Sequence, residues 1–154
     1  MAAVRLGAKA PKFTIPATDG DFRLGAGAKE NLVVYFYPRD NTPGCTTEGS
    51  DFRDLAPEFR RLRTRILGIS TDTLESHRRF REKMKFPFDL GSDPDHSVAA
   101  LFGVWKQKNM YGRKLMGIER STFLIDATGT LRREWRKVRV AGHAAEVLAA
   151  AREL

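Results

Sequence analysis

One cysteine, three histidines and the absence of any long apolar run are the scarcities that matter most in this 154-residue chain. The lone Cys45 excludes an intramolecular disulfide, so no disulfide scaffold holds the fold. His77, His96 and His143 lie far apart, and without a second cysteine they leave no zinc-binding spacing; each reads as structural or exposed. The longest clean apolar stretch, Leu32 to Tyr37, falls well short of the ~18 residues that a membrane span requires. The opening MAAVRLGAKAPKF has no continuous apolar region followed by a cleavage pattern, so no secretory signal is expected. A cytoplasmic location, where a free thiol stays reduced, is the corresponding expectation. Acidic residues are also few: 19 Asp and Glu stand against 27 Lys and Arg, for a net charge of +8. Such a field attracts anions and nucleic acid non-specifically. The arginines at 60, 61, 63 and 65, at 78, 79 and 81, and at 132, 133 and 136 interleave with Glu58, Glu82 and Glu134, however. They read as solvated helix and strand faces rather than as a nucleic-acid surface.

What is present fits one globular domain over 1–154, given roughly 150 residues per domain. Leu32–Tyr37 is continuous, β-branched and aromatic, as expected of a strand buried on both faces. Asp40, Asn41, Pro43 and Gly44 then break the chain. After Cys45, Phe52, Leu55, Ala56, Phe59 and Leu62 recur at helical steps, with Pro57 expected to kink the helix or split it in two. Lys12–Ile15 and Arg65–Thr71 read as strands and Leu74–Lys85 as an amphipathic helix. Asp95–Phe102 reads as a short helix with Asp93 as its cap. Thr122–Ile125 and Leu131–Val138 form a hairpin around Asp126-Ala127-Thr128-Gly129, and Ala144–Arg152 a closing helix. The order predicts an α/β fold with a parallel crossover, which a thioredoxin-like architecture has.

Cys45 follows a buried strand and a Pro-Gly turn and opens an amphipathic helix. A lone cysteine is usually a small buried hydrophobe. At a helix N-terminus, however, free N–H groups and the positive helix end favour a thiolate.

PRDNTPGC, Pro38 to Cys45, matches the P-x-x-x-T-x-x-C signature of the peroxiredoxins. YFYPRDNTPGCTTEGSDFRDL, LGISTD and GIERSTFLIDATG resemble the peroxiredoxin Q subfamily, also called bacterioferritin comigratory proteins, and the resemblance spans about Leu6 to Leu148. It implies a thioredoxin-like fold with a central mixed sheet flanked by helices. It also implies reduction of hydroperoxides without metal, haem or flavin, and a monomer. By position, Cys45 is then the peroxidatic cysteine, Thr42 the hydroxyl partner, Pro38 the shield against water and Arg120 the guanidinium. Arg120 and the Cys45 N–H would donate to the two peroxide oxygens as charge moves between them. Thr42 would accept the peroxide proton while donating to the thiolate. For any thiol, a pKa drop from ~8.5 to ~6 raises the thiolate fraction at pH 7 about thirtyfold. The same drop lowers nucleophilicity roughly tenfold. Speed must therefore come mostly from the transition state.

The chain departs from the subfamily where a resolving cysteine is expected. Ser50 stands five positions after Cys45, and the Phe80–Arg81 segment has no cysteine. The resemblance thus implies a one-cysteine cycle in which an external thiol, such as thioredoxin, glutaredoxin or glutathione, reduces the sulfenic acid. Glu48 would oppose a thiolate if it pointed inward and receives no catalytic role. Gly25-Ala26-Gly27 is a very weak nucleotide-loop pattern. Trp105, Met110, Tyr111 and Met116 could form an apolar rim for an alkyl hydroperoxide or pack in the core. Rival readings are a basic binding module without peroxide turnover, and a redox sensor that passes oxidation to a client.

Overall fold

The computed structural model describes residues 4–24 and 29–154; Gly25-Ala26-Gly27 lies outside them. Its centre is a five-stranded mixed sheet. β3 (Asn31–Phe36) pairs in parallel with β4 (Thr64–Ser70), and β4 in parallel with β5 (Asp89–Ser92). On its other side β3 pairs antiparallel with β8 (Ser121–Ile125), which pairs antiparallel with β9 (Leu131–Arg136). Two small hairpins lie outside this sheet: β1 (Phe13–Ile15) with β2 (Phe22–Leu24), and β6 (Trp105–Met110) with β7 (Arg113–Ile118).

The unbroken apolar run of β3 follows from its place in the middle of the sheet. Side chains alternate between faces, and both faces are covered. Leu32, Val34 and Phe36 join one core with Phe13, Ile69, Phe102 and Phe123. Val33, Tyr35 and Tyr37 join a second core with Cys45, Phe52, Phe59, Phe80 and Val147. That second core is roofed by α1 (Pro43–Arg61), α2 (Leu74–Met84) and α4 (His143–Ala151); α3 (Ser97–Leu101) packs on the first. Each fully buried phenylalanine contributes about 2–3 kcal/mol.

Three sequence expectations are narrowed by the structure. Pro57 does not split the helix, since α1 runs through it as one element. α3 is shorter than Asp95–Phe102, and its N-cap position is His96; Asp93 nevertheless caps it, accepting from the N–H groups of Val98 (3.1 Å) and Ala99 (2.8 Å). The Lys106–Leu115 region is a hairpin: Tyr111 and Met116 are exposed, while Trp105 beside it packs against the first core.

Candidate active site around Cys45

α1 begins where β3 ends. Thr42 holds the N-cap position with extended backbone, and Pro43 takes the first helical position, where its missing N–H costs nothing. Cys45 therefore sits in the first turn, and its side chain is buried against the second core. Arg120 arrives from the opposite end of the chain. It lies in the link between β7 and β8, and the antiparallel register sets Ser121 across from Phe36. That pairing brings Arg120 to the sheet edge from which α1 departs.

One Arg120 nitrogen, Nη2, donates to Cys45 Sγ at 3.2 Å, and the other, Nη1, donates to Glu48 Oε1. Burial pulls the guanidinium pKa down, but Glu48 and Cys45 more than offset this and the net shift is upward. Glu48 lies one helical turn beyond Cys45 and is 1% exposed. Burial lifts its carboxyl to about 7 even though Arg120 pulls the other way. Its Oε2 has no hydrogen-bond partner among the described residues. From sequence alone Glu48 has no catalytic role, because an inward carboxylate opposes a thiolate. It does point inward, with the Arg120 guanidinium bonded to both side chains and standing between them. Gly44 leaves room for the guanidinium: a Cβ there would stand 3.3 Å from Arg120 Nη2.

Thr42 is placed differently from the expected thiolate donor. Its hydroxyl donates to the Arg39 carbonyl at 3.0 Å, and it makes no side-chain cap. The oxygen remains available as an acceptor. Pro38 is half-buried at the exit of β3, and Ser50 is half-buried on α1. Phe80 is core, and Arg81 is held in ion pairs with Asp19 and Asp89.

A buried network anchors the loop between Pro38 and Thr42. The Asp40 carboxylate accepts from Tyr37 Oη (2.6 Å) and Ser76 Oγ (2.8 Å) and lies 2.7 Å from His77 Nδ1. His77 Nε2 donates to the Gly91 carbonyl at 2.9 Å. The Asp40 N–H donates to Asp72, which also accepts from Ser70. Asp40, Asp72 and His77 lie close enough to share a cation. Their oxygens instead face O–H and N–H donors, which suits a hydrogen-bond network. His143 touches Thr122 through Nε2 at 2.7 Å, and burial with help from Arg120 lowers its pKa to about 4. His96 stacks on Trp105 with ring centroids 4.0 Å apart. None of the three histidines joins Cys45, and Asp40 and His77 were not legible as partners because nothing in the sequence pairs a loop with α2.

Residues 6–134 match the AhpC/TSA family. Peroxiredoxin Bcp of Xanthomonas campestris is 54% identical over 82% of this chain and 79% of its own. Peroxiredoxin Bcp of Bacillus subtilis is 47% identical over 94% and 93%. Among solved structures, the Xanthomonas campestris bacterioferritin comigratory protein, described in connection with alkyl peroxide reduction, superposes with a TM-score of 0.87 at 48% identity, covering 92% of this chain and 90% of that one. A cysteine-to-serine mutant of Xylella fastidiosa PrxQ gives 0.91 at 39% identity, covering 97% and 96%. A thioredoxin-like sheet, a cysteine opening α1 under an arginine, and these relatives agree: the chain belongs to the AhpC/TSA family, among its Bcp/PrxQ peroxiredoxins.

Proposed function

We propose that Cys45 is the peroxidatic residue of a one-cysteine thiol peroxidase. The family relationship makes the chain a thiol-dependent peroxidase, and the finer assignments are drawn from this site. The observation that carries them is the 3.2 Å contact of Arg120 with the only sulfur a cysteine supplies. The Cys45 thiolate attacks one peroxide oxygen, forming S–O as O–O breaks. The departing oxygen takes the peroxide proton and leaves as water or an alcohol. Arg120 and the N–H groups of the first turn stabilise the charge passing to that oxygen, Thr42 accepts from the peroxide hydroxyl, and Pro38 limits water. An external thiol then returns the sulfenic acid to thiol. Hydrogen peroxide and alkyl hydroperoxides are both proposed substrates, and a monomer in a reducing compartment such as the cytoplasm suits a lone thiol. No described helix is long and apolar enough to cross a membrane.

The decisive experiment is the intact mass of the reduced protein seconds after one equivalent of hydrogen peroxide, with Cys45→Ser alongside. Rapid gain of one oxygen in the parent only, reversed by a small thiol, is expected. Oxidation no faster than that of a free thiol would overturn the assignment.

A further inference from the structure

The β6–β7 hairpin stands outside the central sheet and has an unbalanced surface. From Trp105 to Ile118 it carries Lys106, Lys108, Arg113 and Lys114 and no acidic residue. None of the four forms a salt bridge among the described residues. Large apolar side chains are exposed beside them: Tyr111 is 99% exposed, Leu115 49% and Met116 53%. Exposed aromatic, methionine and arginine side chains such as these are enriched at protein-binding surfaces, and the lysines add a positive field that draws an acidic partner.

Its register gives the hairpin an orientation. Lys106 pairs with Gly117, Lys108 with Leu115 and Met110 with Arg113, so Lys106, Lys108, Arg113 and Leu115 share one face. Gly117 leaves that face open, and the Lys108 stem lies across it, with Cδ 3.5 Å and Nζ 3.8 Å from where a Cβ would stand. Gly117 is three residues before Arg120. Partial burial and the charge of Arg120 hold the Lys108 ammonium below the usual lysine range, while Cys45 and Glu119 oppose this. The face therefore leads into the segment that carries Arg120, whose guanidinium bonds the Cys45 sulfur.

We propose that this face is the docking surface for an acidic dithiol protein of the thioredoxin type, which reduces oxidised Cys45. The proposal rests on the peroxidase reading. Charge selects the occupant, since a second copy of a +8 chain would set like charges together. Nucleic acid and anionic membranes match the charge but bring no thiol. The lone Cys45 sulfenic acid needs two electrons from outside. The partner's thiolate attacks the Cys45 sulfur, S–S forms as S–O breaks, and the hydroxide leaves as water after taking a proton. The partner's second thiolate then breaks the mixed disulfide, leaving reduced Cys45 and an oxidised partner.

The test compares the parent with Lys106→Glu/Arg113→Glu, and with Arg78→Glu/Lys83→Glu, the same charge change on the exposed side of α2. Turnover is driven either by a thioredoxin of net negative charge with its reductase or by dithiothreitol, and Cys45 oxidation by hydrogen peroxide is timed separately. The hairpin variant should lose about tenfold in kcat/KM for the thioredoxin. Its dithiothreitol turnover, peroxide oxidation and circular dichroism should match the parent. Unchanged thioredoxin turnover, an equal loss in the α2 variant, an equal loss with dithiothreitol, or a parent that thioredoxin cannot reduce would each overturn the docking surface alone. A parent that peroxide does not oxidise at Cys45 would overturn the peroxidase reading and the docking proposal with it.

Discussion

Arg120 serves Cys45 and Glu48 through two separate nitrogens, and this division decides what its removal does. Losing one preorganised donor at a developing oxyanion costs about 10²–10³ in rate. Arg120→Ala should slow Cys45 oxidation by at least that much, and by more than any accompanying loss of thiolate. Stopped-flow rates against pH, set beside a thiolate absorbance titration, check this; slowing only in proportion to lost thiolate would count against the arginine's role. Glu48 makes a prediction of opposite character. Its carboxyl is raised from an ordinary 4.5 to about 7 by burial, so the folded chain holds that proton more tightly than the unfolded one. The stabilisation is complete below about 4.5 and is lost as pH rises through about 7, by up to roughly 3 kcal/mol. Denaturant unfolding between pH 4 and 8 should show the parent losing stability relative to Glu48→Gln as pH rises. Parallel curves would mean that Glu48 does not change its protonation on folding in this window.

The active-site loop owes its position to contacts made by α2, β4 and β5, none of which carries a reacting group. Replacing His77 by Ala leaves the buried Asp40 carboxylate short of a partner and removes the side-chain donor to the Gly91 carbonyl. The expected cost is about 3 kcal/mol, together with a slower peroxide step as the loop carrying Thr42 loosens. Urea unfolding and the oxidation rate measure the two effects; an unchanged midpoint would show that the network is dispensable. α1 is seated just as tightly from the same side. A Cβ at Gly49 would lie 2.4 Å from the Phe86 ring, so Gly49→Ala must push either the ring or the helix aside. Overpacking of this kind costs about 1–3 kcal/mol, and a thermal melt of that variant tests it.

At the scale of the whole molecule, one thiol and no resolving partner set the fate of the oxidised state. Arg81, in the segment where related peroxiredoxins are expected to carry a second cysteine, is tied to Asp19 and Asp89, and the half-buried Ser50 cannot form a disulfide. Under excess peroxide without reductant, Cys45 should therefore pass from sulfenic to sulfinic and sulfonic acid. Intact mass should show two and then three added oxygens, with activity falling in step, and an added thiol should suppress both. A persistent single-oxygen adduct at full activity would contradict this.

The local pattern by itself determined a good part of this protein. A short apolar run rich in β-branched and aromatic residues and followed by Asp40, Asn41, Pro43 and Gly44 fits a strand covered on both sides, so β3 was legible, and helical steps from Phe52 to Leu62 announced α1. The buried strand, the Pro43-Gly44 turn and the helical pattern after it placed Cys45 at the junction. The β6–β7 hairpin was missed because both of its faces are charged or exposed, which erases the alternation that marks a strand. Only tertiary structure decided the rest. Arg120 meets Cys45 because β8 pairs antiparallel with β3 in one particular register. Glu48 is tolerated beside the sulfur because that arginine stands between them. His77 holds Asp40 because a helix and a loop converge on one buried point. Contacts of this kind depend on how distant segments pack, and no short stretch of sequence encodes them.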